Sequence, residues 1–476
     1  MESGLRTREI NALCSFRDPD GFVFRDGDRI LRCVFPQAAA KLLNFLSSEI
    51  ARVWVAEGAL CSSDVIPAPE RTAISENVAR RIPEHSLLIE HTPLRFPNYP
   101  YEWTPEMLRA AAEATLRMAR EALTEGFCLK DATPYNLMFE GTRPVFIDVL
   151  SFERHRLDAI WPAYAQFVCT FVYPLIAAVD CGCEISELLL VHRDGIGPER
   201  IARMLGARRW LPRFFGSVGL PAVLSQENSR SSASRALARK SKDAREAEFV
   251  LQARFRKAQR LLPAIRSRNP AYMEKDCVYS SDEWNAKQAA VAEALRQFCP
   301  ERVLDIGCNT GHFSRLACEA GATVVAIDRD SAATGALWSA AVRDGLSILP
   351  LVVDIARPTS GCGWANAEFP SFLDRARGQF DGVLMLALAH HLIVSERVPV
   401  DQIFELAASL TRRFLLIEYV DPSDPQFRRI ARGRASLHRD LTPQSFEKAA
   451  RVKFEIAGCR PVTPTRVIYT LERKSR

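Results

Sequence analysis

The run Val303-Leu304-Asp305-Ile306-Gly307-Cys308-Asn309-Thr310-Gly311-His312-Phe313-Ser314, followed by Val324-Val325-Ala326-Ile327-Asp328, constrains the fold of its half of the chain more than any other stretch. An apolar segment ends in an acidic residue, a glycine-bearing turn follows, and a helix-compatible segment opens near Gly311. A second apolar segment then ends in another carboxylate. This is the layout of a βαβ unit that holds an adenosine-containing cofactor: the turn glycines let the backbone approach the ligand, and the second carboxylate accepts hydrogen bonds from ribose hydroxyls.

The spacing separates the candidate cofactors. A dinucleotide fingerprint needs three glycines as G-x-G-x-x-G, whereas this turn offers Gly307 and Gly311 with Cys-Asn-Thr between them. A site without a pyrophosphate has no need of the third glycine, and the acid at Asp305 suits a cationic ligand better than a diphosphate. The segment resembles motif I of class I methyltransferases that use S-adenosylmethionine (SAM).

From about Ala271 onward, strand-like and helix-like segments alternate, which implies an α/β domain with a Rossmann-like parallel sheet covered by helices on both faces. The expected strands are Arg302–Ile306, Thr323–Ile327, Ser347–Val353, Asp381–Leu386, Arg413–Tyr419 and Thr465–Leu471. Ligands of such sheets sit at the carboxyl ends of the strands, where the sequence puts Asp305, Asp328, Asp354, Ala389-His390-His391 and Glu418. Gly307, Asn309 and Gly311 are expected to shape the pocket around the methionine part of SAM, Asp328 to bind the ribose and Asp354 the adenine. His390 and His391 are the candidate catalytic residues, since an imidazole takes up protons near neutral pH; a capping role is the alternative for either.

Further motifs extend the resemblance: Leu349 to Pro358, Gly363-Trp364-Ala365-Asn366, Phe380 to Leu392, Ser395-Glu396-Arg397 and Ile417-Glu418-Tyr419-Val420-Asp421-Pro422. Together they are similar to a family of bacterial two-domain class I methyltransferases, some labelled as nodulation-type proteins. The resemblance implies the SAM fold and methyl transfer and leaves the acceptor open. Trp364, Asn366 and Glu368 are expected either as substrate or adenine contacts or as loop packing.

The amino-terminal half carries Leu129-Lys130-Asp131-Ala132-Thr133-Pro134-Tyr135-Asn136, then Pro144-Val145-Phe146-Ile147-Asp148. This resembles the catalytic centre of kinase-like folds, and so implies an α+β kinase-like domain with Asp131 as base and Asn136 and Asp148 as ligands of Mg, should ATP bind. Three departures are visible. Lys130 stands before the base, where kinases usually have Arg or Gly after His. No glycine-rich phosphate loop lies upstream, where Asp18 to Gly27 reads as a hairpin. The strand Arg29 to Val34, expected to carry a phosphate-binding lysine, holds arginine instead. A degenerate, substrate-positioning domain is the alternative. Thr104 and Pro105 mark a helix start.

The chain has 476 residues and a net charge of +6, yet residues 226–270 alone carry twelve Lys or Arg against four Asp or Glu. The expected organisation is therefore a kinase-like domain over 1–225, a basic, solvated helical linker over 226–270 and a methyltransferase domain over 271–476. The linker lacks interleaved aromatics for stacking bases, so nucleic acid is not expected as a partner, and an RNA methyltransferase ranks last among the catalytic readings because no Asn-Pro-Pro-Tyr-like motif follows the fourth strand. A SAM sensor without turnover is the non-enzymatic rival. The thirteen cysteines show no metal-ligand spacing, which with the absence of an apolar leader core leads to a cytoplasmic expectation. Phe167 to Val179, interrupted by Pro174, is read as a buried helix rather than a transmembrane segment. Oligomeric state is not legible. The leading reading is O-methylation of a small-molecule or glycan acceptor, with a bifunctional kinase/methyltransferase as the alternative.

Overall fold

A computed structural model describes residues 13–15, 17–67, 74, 79–80, 82–155, 160–228, 244–265 and 279–474. The chain divides into two units: the first comprises Met1–Tyr101, Leu108–Ile265 and Gly361–Pro370, and the second Glu102–Met107, Arg266–Ser360 and Ser371–Arg476.

In the first unit, alternating apolar residues build β1 (Leu13–Ser15), β2 (Gly21–Asp26), β3 (Arg29–Val34), β4 (Ser63–Val65) and β5 (Leu87–His91), an antiparallel sheet in the order β1-β2-β3-β5-β4. The segment Asp18 to Gly27, read as a hairpin, holds one strand, β2, whose hairpin partner is β3; the turn between them includes Gly27, whose φ of 62° is one glycine adopts without strain. The helix Pro105–Thr124 follows, with the Thr104 hydroxyl accepting from the Met107 N–H at 3.3 Å, as the cap signal predicts. Two short ladders come next: β6 (Phe127–Leu129) with β9 (Phe152–Arg154), and β7 (Leu137–Glu140) with β8 (Arg143–Phe146). An aromatic core of Phe45, Trp54, Phe127, Phe146 and Phe152 holds these pieces, with Phe45 and Phe152 stacked at 4.5 Å.

One expectation is extended here and one changes. The run Phe167 to Val179, read as a buried helix, lies in a longer helical stretch, Tyr164–Cys181, which at 18 residues and mean hydropathy 1.4 meets the length and composition of a membrane span while 61% of it is buried in the protein. The basic segment 226–270 is described over 226–228 and 244–265, and over the latter it is not a solvated linker: the helix Ala244–Leu261 buries Ala247, Leu251, Phe255 and Ala258. Phe255 meets Trp161 edge-on at 4.7 Å. The rest of that expectation, residues 229–243 and 266–270, lies outside the described residues.

The second unit is built on β10 (Arg302–Ile306), β11 (Thr323–Asp328), β12 (Ile348–Val352), β13 (Phe380–Met385), β14 (Thr411–Val420), β15 (Phe454–Thr463) and β16 (Arg466–Arg473), in the order β12-β11-β10-β13-β14-β16-β15. The first five run parallel, and their nearly continuous apolar sequences fit strands covered on both faces. The last two are antiparallel, so the sheet is mostly rather than wholly parallel. The unexpected strand, β15, contains Gly458 and Pro461 and has two register shifts against β16; an edge position tolerates both residues and hides the strand from pattern reading. The core joins Leu295, Val303, Val324, Leu337, Leu384 and Phe414.

Candidate active site

The parallel register sets Asp305 beside Ala326 on one flank and Leu384 on the other, so the ends of three strands open on the same edge. Between β10 and its following helix His312–Glu319, the turn hangs on β11: the Gly307 and Cys308 N–H groups both donate to the Ile327 carbonyl, at 2.8 and 3.1 Å. Gly307, Asn309 and Gly311 all have positive φ, at 77°, 49° and 82°. Three left-handed residues in five is a conformation that packing must impose. At Gly311 the reason is visible, because a Cβ there would lie 2.2 Å from the Leu337 side chain. At Gly307 it would meet Leu388 at 3.4 Å.

Asp305 is buried and accepts from the Ser314 hydroxyl at 2.6 Å. Burial, with Asp328 nearby, pushes its carboxyl up to about 6. Asp328 ends β11 with both oxygens in use, accepting from the Asn309 N–H and the Asp330 N–H at 2.9 Å each; burial raises its pKa too. Asp354, two residues past β12, accepts from the Ala356 N–H at 2.9 Å and pairs with the exposed Arg357 at 3.3 Å.

His390 and His391 open the helix Ala389–Val394 just beyond β13, with ring centroids 4.4 Å apart. His390 is 3% exposed, and its Nδ1 finds no hydrogen-bond partner among the described residues. Burial, reinforced by His391, lowers its pKa to about 3. The direction favours a neutral ring, where the sequence suggests an imidazole titrating near neutrality. Burial and three nearby arginines lower His391 as well.

The turn that presents these rings is pinned by a buried network that sequence reading missed. Ala387, with φ of 53°, donates its N–H to the Glu418 carboxylate at 2.8 Å. Glu418 pairs with Lys287 at 2.6 Å and accepts from the Tyr279 hydroxyl, while Arg466 donates to that hydroxyl at 2.8 Å and to both Asp424 oxygens at 2.8 and 3.0 Å. Burial alone would raise Glu418, but Lys287 and Tyr279 outweigh it and hold the carboxylate below its usual range. A signal existed: Lys287 falls on the stripe Val291, Ala294, Leu295 and Phe298 of the helix Ser281–Phe298, a charge on an apolar face.

In the first unit the structure brings Asp131, Asn136 and Asp148 together. The Asn136 amide donates to the Asp131 carbonyl at 3.2 Å and to the Ser151 hydroxyl at 3.0 Å, and that hydroxyl donates to Asp148 at 2.5 Å. The other Asp148 oxygen meets Arg32, on β3, at 2.8 Å. Burial would raise Asp148, yet Arg32 and Ser151 hold it low; Asp131, half-buried, is raised by its partial burial and by Asp148. Arg32 also donates to His91 at 3.3 Å, and Lys130 donates to Asp20 at 2.7 Å. The segment of Trp364, Asn366 and Glu368 belongs to the first unit, where Glu368 pairs with Arg17 at 3.0 Å and Arg193 at 3.3 Å.

Fold and sequence together define a two-domain class I SAM-dependent methyltransferase, and the chain belongs to that family. The nodulation protein NoeA of Rhizobium meliloti (strain 1021) is 31% identical over 470 residues, spanning 96% of this chain and 95% of that protein. A family model described as a methyltransferase domain matches residues 252–451. Among solved structures, the bifunctional kinase-methyltransferase WbdD aligns at a TM-score of 0.31 and 18% identity over 42% of this chain and 41% of its own. The N-methyltransferase NodS from Bradyrhizobium japonicum WM9 aligns at 0.31 and 11% over 41% and 99%.

Proposed function

We propose that this enzyme methylates an oxygen nucleophile on a small molecule or glycan, with the acceptor hydroxyl approaching His390. The observation that carries the reading is the buried, unpartnered Nδ1 of His390 beyond the end of β13. Bound SAM supplies an electrophilic methyl group: the oxygen–methyl bond forms as the sulfur–methyl bond breaks, and the bonding pair stays on sulfur. A neutral imidazole accepting the hydroxyl hydrogen aims an oxygen lone pair at that methyl group, which is orientation rather than strong-base catalysis. The proton then leaves through His390 or His391.

The cofactor cradle in this reading is the turn Gly307–Gly311 with Asn309, Asp305 beside the cationic end, Asp328 at the ribose and Asp354 at the adenine. The fit rests on the donor set: a buried carboxyl already pushed to about 6 at Asp305 gains from a cationic neighbour. Asp328 uses both oxygens on backbone N–H groups but retains lone pairs for ribose hydroxyls. Calorimetric titration with SAM, repeated on Asp328→Ala and His390→Gln, tests the assignment. Loss of binding in the first and intact binding with lost methyl transfer in the second are expected; SAM binding unchanged by Asp328→Ala overturns it.

A second reading is bifunctional, with the first unit kinase-like and Asp131, Asn136 and Asp148 acting on ATP and Mg. The observation favouring it is the hydrogen-bonded chain from Asp131 through Asn136 and Ser151 to Asp148. Asp148 is neutralised by Arg32, so Mg would have to displace or share that guanidinium. Titration with ATP and Mg, alone and on Asp148→Ala, separates the readings: no heat with the parent protein leaves a substrate-positioning unit. A cytoplasmic setting fits the eleven free cysteines among the described residues.

A further inference from the structure

Three consecutive helical segments of the first unit, Pro212–Phe214, Phe215–Gly219 and Leu220–Asn228, are apolar on both sides. Phe214, Val218 and Ala222 are buried, the last segment lying against the helix Pro198–Leu205. The opposite side carries Leu211, Phe215, Leu220, Val223 and Leu224, all exposed, beside Trp210 at 49% exposure. Trp210 and Phe215 sit 6.1 Å apart as a pair of rings open to solvent. Six large apolar side chains within fifteen positions is more than the scattered apolar residues of an ordinary surface.

The charge around this patch is predominantly positive. From Pro198 to Asn228 the sequence holds five arginines, at 200, 203, 208, 209 and 213, against two acids, Glu199 and Glu227. Arg213 pairs with the Asp180 carboxylate at 2.7 Å, Arg208 donates to the Asp180 backbone carbonyl at 2.8 Å, and Arg209 lies over the Trp210 ring at 5.0 Å. A protein partner matched to this face would need a large apolar patch ringed by acids. An anionic bilayer surface offers both at once: acyl boundary for Trp210, Phe215 and the leucines, and phosphate for the arginines.

We propose that the face formed by Trp210, Leu211, Phe215, Leu220 and Leu224 docks this enzyme reversibly onto an anionic phospholipid surface. Aromatic rings partition at the headgroup boundary, and arginines extend their stems along it while keeping their charge in the phosphate layer. The helices lie along the surface and do not cross it; Tyr164–Cys181 remains core.

Flotation of the full chain with vesicles tests this. With phosphatidylcholine plus phosphatidylglycerol the protein is expected to rise with the vesicles, to be released by high salt, and to stay behind with phosphatidylcholine alone. Replacing Trp210, Phe215 and Leu220 by serine should lower the bound fraction about tenfold or more, as should Arg203→Gln with Arg209→Gln, while melting temperature and SAM binding stay unchanged. Should the triple variant melt early, Trp210→Ser alone, with quenching of the parent by brominated lipid, carries the test. Failure to float with anionic vesicles, or equal flotation of the triple variant, overturns the proposal. So does a parent dimer in sedimentation that the triple variant abolishes without any vesicle binding, which would make this the interface with a second copy.

Discussion

The Lys287 ammonium and the Glu418 carboxylate face each other at 2.6 Å with both side chains all but excluded from solvent. The pair ties the helix before the sheet to β14, and the same carboxylate holds the Ala387 N–H at the turn before His390. Breaking one side strands the other. Lys287→Met is expected to destabilise the second unit by ~3–5 kcal/mol, and the double change with Glu418→Gln to recover part of that loss, because a buried charge without its partner is worse than no charge. Urea unfolding of the single and double variants measures the coupling; additive losses would mean that the pair is not energetically linked.

Asp305 should make stability fall with rising pH. Its folded pKa, about 6, lies above the ordinary 3.8, so the folded state holds the proton more tightly. The associated stability is present below pH 4 and lost as pH rises to about 6, amounting to ~3 kcal/mol. Asp305→Asn is expected to flatten that slope. It should also remove a rise in SAM affinity through pH 6 if the carboxylate faces the cationic end of the cofactor. An unchanged affinity profile would place the ligand elsewhere.

For His390 the sign is reversed. A folded pKa near 3 against 6.5 means that the unfolded chain takes up the proton first. Stability is full above pH 6.5 and lost as pH falls toward 3, on the order of 5 kcal/mol at the acid end. His390→Gln should flatten this acid limb. Because the ring is already neutral, methyl transfer should not decline between pH 8 and 6 on its account; a kinetic pKa near 6.5 that disappears in His390→Gln would contradict the assignment.

Gly311→Ala is expected to destabilise by ~1–3 kcal/mol, since the new methyl group needs a left-handed backbone and meets Leu337. Leu337→Ala should relieve the clash but not the backbone strain. Thermal melts of the single and double variants separate the two contributions.

Much of the second unit was readable because parallel strands buried on both faces advertise themselves as apolar runs, and their ends must then share an edge. That places Asp305, Asp328, Asp354, His390 and Glu418 without any coordinates, although the role of each is a proposal. What could not be read are pairings between residues far apart in sequence. Nothing in Asn285-Ala286-Lys287 names Glu418 as its partner, and nothing in Arg32 names Asp148. The pKa of His390 was equally hidden, since burial and not residue type sets it. The helix Ala244–Leu261 misled because its charge dominates the composition, while four buried residues in a periodic stripe decide where it goes.

The short run Gly361–Pro370 is flanked on both sides by chain of the second unit yet packs in the first. There Phe369 lies beneath the Arg193 guanidinium at 4.0 Å and edge-on to Tyr99 and Tyr135. No single cut of the polypeptide therefore yields two intact halves. A fragment beginning at residue 271 would carry this run without its aromatic seat, and one ending at residue 270 would leave that seat empty. Joining or exchanging pieces end to end would therefore divide one unit's sequence, so the chain has to be handled as a whole.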